Sequence, residues 1–207
     1  MKTKIAVFVS GGGTNLQALI DAADAGALPS GEIVLVLASS PKAYALERAA
    51  KAGIPSAVVS AKTEGSQAAA EAKMNALLAE HGVELIVLAG YLSILSEDFT
   101  RRWDKRILNI HPSLIPAFCG KGYYGLRVHE EALRRGVKVT GATVHFVNEI
   151  PDGGEILLQQ AVDVLPGDTP EVLQHRVMEQ AEWKLLPRAA ELVSKQLLEE
   201  HSHVENV

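Results

Sequence analysis

Apolar segments and helical patterns alternate through the first half of the chain. The apolar segments, rich in branched residues, lie at 5–9, 33–38, 56–59, 85–89 and 107–110. Residues with helical spacing lie at 15–24, 43–52 and 66–81, and a further helix start lies at Ser96. Uninterrupted apolar strands are typical of strands that are buried on both faces. The alternation therefore predicts an α/β fold, with a Rossmann-like, mostly parallel sheet covered by helices on both faces.

The pattern changes after residue 111. Residues 112–125 hold two prolines and three glycines, which predicts a long irregular loop. A helical pattern over 126–135 is followed by two strand patterns over 139–147 and 155–164. The Pro-Asp-Gly-Gly turn between these two strands predicts an antiparallel hairpin.

The last third of the chain ends in a long helical pattern. Thr169 and Pro170 are typical of a helix start, and the pattern runs to about Leu186. Pro187 predicts a kink or a restart at that point. The polar residues 199–207 predict a frayed tail. Because no repeat or linker interrupts the chain, we predict one domain over 1–207.

Composition and charge exclude several classes of protein. The chain has 207 residues, of which 47% are hydrophobic and 22% charged, so a disordered or fibrous protein is excluded. A net charge of -5 disfavours nucleic-acid partners, and the single cysteine, Cys119, disfavours a cysteine-based metal site. No apolar segment has the length of a signal-peptide core or a membrane span, so we expect a cytoplasmic protein without a membrane partner.

A glycine-rich segment (SGGGTN, 10–15) lies between the first strand and the first helix. Backbone N–H groups at a helix N-terminus bind phosphate, although a tight turn without ligand is the alternative. The dinucleotide pattern fails because position 16 is Leu16, and no acid follows the second strand. No Gly-Lys-Ser/Thr sequence is present either. We therefore predict a phosphomonoester or ribose phosphate ligand, and no nicotinamide.

Polar side chains with catalytic potential follow the fifth strand. Asn109 and His111 are two residues apart, so they point to the same side of a strand at the edge where parallel sheets bind ligands. An amide can stabilise an oxyanion, and a histidine can move a proton near neutral pH. A structural histidine is the alternative. Asp152 has ordinary turn chemistry, but close to His111 it would raise the pKa of the imidazole.

Five segments, in order, carry a resemblance to a known family: SGGGTNLQAL, LAGYLSILS, NIHPSLIP, GATVHFV and DGG. With their spacing, the chain resembles the folate-dependent formyltransferases from about residue 4 to residue 190. The resemblance implies that a formyl group passes from 10-formyltetrahydrofolate, as co-substrate, to the amine of glycinamide ribonucleotide in purine biosynthesis. It implies small-molecule partners and no metal, and it leaves a homodimer open.

The resemblance also implies roles for individual residues. Asn109 would stabilise the oxyanion, His111 would be the general acid and base, and Asp152 would tune His111 and order a water. The residues implied in binding the acceptor substrate are Gly13, Thr14, Asn15, Ser113 and Glu182. The residues implied in binding the folate are Leu92, Ser93, Ile94, Leu95, Asn109 and His145.

The chain departs from the family pattern in three places. Ser93 stands where members often carry arginine, which removes one charged contact. The CGKGYYG segment at 119–125 is longer than the matching loop in many members, and its Lys121 is interpreted as solvated. The segment before Glu182 is one residue longer than the pattern.

Rival functions share part of these residues. A formyltetrahydrofolate hydrolase of the same family would use Asn109, His111 and Asp152 but would not need the glycine-rich segment. A transferase acting on methionyl-tRNA would be expected to carry more basic surface and a further domain, and family hydrolases are expected to be longer as well. A non-catalytic sensor of nucleotide phosphates would keep the glycines without needing Asn109 and His111 together.

Overall fold

The apolar strands assemble into one sheet in the structure, a computed structural model that describes residues 2–204. Within these residues the sheet has seven strands in the order β3-β2-β1-β4-β5-β6-β7. The strands are β1 (Thr3–Val9), β2 (Gly31–Ala38), β3 (Ser56–Val58), β4 (Leu85–Leu88), β5 (Ile107–His111), β6 (Val139–Phe146) and β7 (Ile156–Asp163). The helices are α1 (Thr14–Asp24), α2 (Ala45–Lys51), α3 (Ala61–Glu64), α4 (Gln67–Glu80), α5 (Glu97–Arg102), α6 (Leu126–Arg135), α7 (Pro170–Val177) and α8 (Trp183–Val204).

The direction of the strands confirms the predicted fold class. Strands β1 to β5 pair in parallel, whereas β6 runs antiparallel to both β5 and β7. The predicted hairpin is therefore β6–β7, and it extends the parallel sheet at the β5 edge. The register of β5 and β6 places Asn109 opposite His145 and His111 opposite Thr143.

Two apolar cores cover the two faces of the sheet. On β1, Ile5, Val7 and Val9 pack into one core, and Ala6 and Phe8 pack into the other. All five side chains are fully buried. Because successive strand residues point to opposite faces, a strand that lies inside two cores must be apolar throughout. This double burial explains the uninterrupted apolar segments in the sequence.

The C-terminal helix differs from its predicted course. Helix α7 ends at Val177, a π-helix occupies Met178–Glu182, and α8 begins at Trp183. The restart thus lies before Pro187, which is inside α8. A π-turn accommodates one extra residue in a helix. It therefore agrees with the extra residue seen in the sequence before Glu182.

The predicted frayed tail was wrong for residues 199–204. Helix α8 continues through them to Val204, while residues 205–207 lie outside the described residues. Its extension has a tertiary contact, because Nδ1 of His201 lies 3.4 Å from a carboxylate oxygen of Glu84, just before β4. A contact of this kind anchors a helix end that composition alone would leave loose.

The loops that carry the predicted site follow the carboxyl ends of three strands. The glycine-rich segment follows β1, residues 89–96 follow β4, and residues 112–125 follow β5. Strands β1, β4 and β5 are neighbours and run in parallel. Their carboxyl ends therefore meet at one edge, the edge where α/β sheets bind ligands.

Candidate active site

A cavity of about 610 Å³ opens at this edge of the sheet. The size is in the usual range for small-molecule sites. The predicted residues that line it are Leu92, Ser93, Ile94, Leu95, Asn109, His111, His145 and Asp152. The structure thus brings together the predicted catalytic residues and the predicted folate-binding residues. The remaining predicted residues, Gly13, Thr14, Asn15, Ser113 and Glu182, are outside this lining.

The amide of Asn109 lies against His145 of the neighbouring strand. Nδ2 of Asn109 is 3.1 Å from Nε2 of His145 and 3.4 Å from Oδ1 of Asp152. Nδ1 of His145 is 2.8 Å from the Phe146 carbonyl, to which it donates, so Nε2 is the nitrogen that faces Asn109 and Asp152. The second N–H of Asn109 makes only the long contact to Asp152. That N–H can therefore turn to a ligand in the cavity.

The ring of His111 is held between a carbonyl and a carboxylate. Nε2 lies 2.9 Å from the Phe118 carbonyl, to which it donates, and Nδ1 lies 3.5 Å from Oδ2 of Asp152. Burial lowers the pKa of His111, while the charge of Asp152 and the Phe118 carbonyl oppose that decrease. The neutral ring thus has its lone pair on Nδ1, facing Asp152. A proton taken up there would form an ion pair at once.

Asp152 occupies a left-handed position in the β6–β7 turn, with φ of 55°. Its Oδ2 accepts the Gly120 amide N–H at 2.8 Å. Burial opposes ionisation of the carboxyl, but His145, His111 and the Gly120 amide together keep the pKa of Asp152 below its usual value. Asp152 is therefore a carboxylate at neutral pH, and its charge stabilises a protonated His111.

The long loop after β5 is anchored to His111 and Asp152 at two points, the Phe118 carbonyl and the Gly120 amide. Ser113 is fully buried, and its hydroxyl donates to the Ala117 carbonyl at 2.6 Å. Ser113 is thus placed to order this loop. The loop also brings Lys121 to the cavity lining, so Lys121 faces the cavity as well as solvent. Cys119 lies nearby, and burial raises the pKa of its thiol.

The segment over 92–95 forms an apolar wall of the cavity. Leu92 and Ile94 are 63% and 66% exposed, which is unusual for large apolar side chains, whereas Leu95 is buried. Flat aromatic ligands bind well between such walls, with backbone groups to fix their orientation. The exposure of Leu92 and Ile94 therefore supports a ligand surface here.

Close packing requires glycine at position 13. Gly13 is the N-cap of α1 in the left-handed conformation, with φ of 71°. A Cβ atom on Gly13 would lie 2.6 Å from the Cβ of Ala45 in α2. By contrast, a Cβ atom on Gly11 or Gly12 would meet nothing within 4 Å. The segment thus packs tightly on α2 at one end and leaves open space beside its first two glycines.

Asn15 and Glu182 form a buried pair beside the glycine-rich segment. Nδ2 of Asn15 donates to Oε2 of Glu182 at 2.7 Å. Burial raises the pKa of Glu182, against the effect of the Asn15 bond. Oδ1 of Asn15 is buried without a hydrogen-bond partner in the described part of the chain. A buried acceptor of this kind is costly unless a ligand or water satisfies it.

Ser10 connects the two parts of the site, and sequence reasoning assigned no role to it beyond the glycine-rich segment. Its hydroxyl oxygen accepts the Leu92 amide N–H at 2.9 Å and the Ser39 hydroxyl at 2.7 Å. Its amide N–H donates to the Gly90 carbonyl at 3.1 Å. The only available signal was its position directly before the glycines. Ser10 joins the glycine-rich segment to the apolar wall of the cavity.

His129 is a second residue that sequence reasoning missed. It lies on α6, is fully buried, and has no hydrogen-bond partner on either ring nitrogen within residues 2–204. Burial and the charge of nearby His111 lower its pKa to about 4. In the sequence, His129 is one polar residue within a helical pattern, and no motif there indicated its burial. His129 is therefore a neutral ring behind His111.

The described residues contain neither a candidate metal cluster nor a candidate membrane span. No group of three or more His, Cys, Asp or Glu side chains within 2–204 has the arrangement of a metal site. Over the same range, no helix is both long and apolar enough to span a bilayer.

Known proteins resemble the chain in sequence and in structure. A family model described as formyl transferase matches residues 3–190. The phosphoribosylglycinamide formyltransferase of Haemophilus influenzae is 44% identical over 184 residues, which are 89% of this chain and 84% of that protein. A solved structure of glycinamide ribonucleotide transformylase 1 from Symbiobacterium toebii aligns with a TM-score of 0.87 at 40% identity, covering 94% of this chain and 89% of that one.

A longer relative has the same similarity over part of its length. The trifunctional purine biosynthetic protein adenosine-3 of Bos taurus is 44% identical over 195 residues, which are 93% of this chain. The chain spans only 18% of the length of that protein. The family match, by contrast, covers most of the chain and includes the glycine-rich segment, the cavity and the catalytic strand. The chain belongs to the formyl transferase family of enzymes.

Proposed function

We propose that the protein transfers a formyl group from 10-formyltetrahydrofolate to the amine of glycinamide ribonucleotide, a step of purine biosynthesis. The observation that carries this proposal is the convergence of Asn109, His111 and Asp152 at a cavity whose apolar wall is joined through Ser10 to a glycine-rich segment. One part suits a folate and the other a phosphate. The reaction needs both ligands side by side.

The glycine-rich segment supports a phosphorylated acceptor. Residues at the first turn of a helix leave N–H groups without partners inside the helix, and these groups bind anions. Gly13, Thr14 and Asn15 supply this turn. On this proposal Glu182, which accepts a hydrogen bond from Asn15, would bind the same substrate.

The apolar cavity supports the folate. Leu92 and Ile94 offer exposed apolar surface, and Asn109 and His145 offer polar groups at its inner end. This combination of apolar walls and few polar groups is typical of pockets for flat heterocyclic ligands. The formyl group would then lie close to the amide of Asn109.

The proposed reaction forms one C–N bond and breaks another. The substrate amine attacks the formyl carbon, and the carbonyl oxygen becomes an oxyanion that accepts the second N–H of Asn109. Collapse of this intermediate breaks the bond between the formyl carbon and the folate nitrogen. The amine loses one proton and the folate nitrogen gains one, so the reaction is balanced without a metal or a redox partner.

His111 and Asp152 would carry that proton. Burial keeps His111 neutral before the reaction, with its lone pair on Nδ1. A proton from the amine, transferred through an ordered water, would create an imidazolium facing the Asp152 carboxylate. His111 then returns the proton to the leaving nitrogen. On this proposal the partners are two small molecules, and the reaction takes place in the cytoplasm.

A single assay distinguishes this function from the rivals. Purified protein is mixed with a 10-formyl folate analogue, and release of the deformylated folate is followed with and without glycinamide ribonucleotide. We expect release only when the amine is present. Equal release without the amine would favour the hydrolase, and no release in either mixture would favour a non-catalytic phosphate sensor.

A further inference from the structure

The glycine-rich segment lacks a charged group of its own. A phosphomonoester carries close to two negative charges near neutral pH, whereas a helix N-terminus supplies only about half a positive charge. The segment Ser10 to Asn15 contains no lysine or arginine. Within the described residues, the cation that hydrogen-bonds to this segment is Arg48, on α2.

Arg48 is held in place by three contacts. Its Nε donates to the Gly12 carbonyl at 2.8 Å, and its Nη1 donates to Oε1 of Gln17 on α1 at 3.0 Å. Its guanidinium carbon lies 5.1 Å from the centre of the Tyr44 ring. Arg48 therefore bridges the beginning of α2, the glycine-rich segment and the first turn of α1.

Helix α2 controls the direction of two peptide groups in the segment. The Ala45 amide N–H donates to the Gly11 carbonyl at 3.1 Å, and Arg48 holds the Gly12 carbonyl. In a trans peptide the carbonyl and the next N–H point in opposite directions. The N–H groups of Gly12 and Gly13 therefore point away from α2. Neither N–H has an acceptor within the described part of the chain.

The charge of Arg48 is not neutralised locally. No carboxylate within residues 2–204 lies in ion-pair distance of its guanidinium. A cation that donates to the Gly12 carbonyl also polarises that peptide, which strengthens the Gly13 N–H as a donor to an anion on the other side.

We propose that Arg48 is a positioning residue of the phosphate site. It turns the Gly12 carbonyl toward α2 so that the N–H groups face the anion, and it adds a full positive charge beside them. It acts on the binding of a phosphorylated acceptor and not on the chemical step. This inference rests on the proposed function for its substrate, but its effect on phosphate binding can be measured separately.

The test compares the native protein with Arg48→Met, which keeps the apolar stem and removes the charge. For glycinamide ribonucleotide, we expect the KM of Arg48→Met to rise about tenfold or more, with kcat within about twofold, because a hydrogen bond and a charge interaction are lost. The KM for the formyl folate should not change. The dephosphorylated acceptor should react equally well with both proteins.

Two further variants sharpen the result. Arg48→Lys keeps the positive charge but lacks the planar guanidinium group. Its KM for glycinamide ribonucleotide should therefore lie between those of the native protein and Arg48→Met. Arg134→Met removes an exposed arginine that pairs with Glu131 on α6, and it should leave the KM for either substrate unchanged. Added potassium chloride should reduce the difference between native protein and Arg48→Met, since salt screens charge interactions.

Calorimetry with inorganic phosphate tests the site without any turnover. The native protein should bind phosphate at least several-fold more tightly than Arg48→Met. Equal phosphate binding, or an equal KM increase for the phosphorylated and dephosphorylated acceptors, would overturn the role of Arg48. If neither acceptor is formylated while phosphate binding still depends on Arg48, the proposed function fails and the phosphate site stands.

Discussion

The glycine-rich segment and the catalytic centre are built in different ways. The segment is six consecutive residues whose backbone would bind the phosphate on the proposed function, so its geometry depends on φ angles and close packing, as at Gly13 against Ala45. The catalytic centre depends on side chains from β5, β6 and the β6–β7 turn. Changes in the segment should therefore alter binding and stability, whereas changes in the centre should alter rate and pH dependence.

The largest effect is expected at the catalytic centre. Asn109→Ala removes the proposed oxyanion donor, so kcat should decrease by about 10²–10³ while the KM of the amine substrate stays nearly the same. Steady-state kinetics measure both. As a control, Asn75→Ala removes an acceptor of the Trp103 indole N–H, outside the cavity, and should leave kcat unchanged. A variant of Asn109 with near-native kcat would contradict the proposed mechanism.

Acid should destabilise the folded protein through His129. Its pKa is about 4 in the folded protein, against 6.5 for a free histidine, so the unfolded chain binds the proton more readily. This contribution to stability is complete above pH 6.5 and is lost as the pH falls toward 4. Urea unfolding should show a loss of about 1.4 kcal/mol per pH unit from this residue across that window.

His129→Leu should remove this dependence because leucine is apolar and of similar size. The same substitution at His175 on α7, which is exposed and pairs with Glu179, serves as the control. His175→Leu should retain the slope of the native protein between pH 6.5 and 4. A slope that is identical in the native protein and His129→Leu would show that His129 has no such effect.

Within the glycine-rich segment, two neighbouring glycines should behave differently. Gly13→Ala places a Cβ 2.6 Å from Ala45 at φ of 71°, so we expect a loss of about 1–3 kcal/mol in the free energy of unfolding. It should also raise the KM for the phosphorylated acceptor. Gly12→Ala meets no atom within 4 Å and should be nearly neutral for stability. Equal losses in the free energy of unfolding at both positions would show that the close contact with Ala45 does not restrict position 13.

The smallest expected effect is a shift of pH dependence in Asp152→Asn. The Asp152 charge raises the pKa of His111 against burial, so its removal should lower that pKa further. The acidic limb of the kcat/KM profile should then move to lower pH, because one close negative charge is lost. Glu149→Gln, also on the cavity lining, is the control and should leave this limb in place. An equal movement in Glu149→Gln would show a general effect of nearby charge. An unchanged limb in Asp152→Asn would contradict the tuning of His111.

Local features of the site were predictable from sequence, whereas contacts between distant segments were not. The strand period alone places Asn109 and His111 on one face, and the glycines mark the turn after β1. The approach of Asp152 to His111 depends on the antiparallel pairing of β5 with β6 and on a left-handed residue in the following turn. Sequence patterns do not determine which turn reaches which strand end.

Long-range partners also explain the other differences. Asn15 and Glu182 meet across most of the chain because the π-turn rotates Glu182 into the core beside α1. The helical end of α8 depends on the contact between His201 and Glu84. Each of these contacts is a product of tertiary packing.

The fate of the formyl carbon tests the central claim most directly. A formyl folate labelled with ¹³C at the formyl carbon is incubated with the protein and glycinamide ribonucleotide, and the carbon is followed by NMR. We expect the label to appear as an N-formyl amide on the acceptor. In Asn109→Ala, the rate at which this amide appears should be strongly reduced. Label that appears as free formate, at the same rate with or without the acceptor, would contradict this expectation.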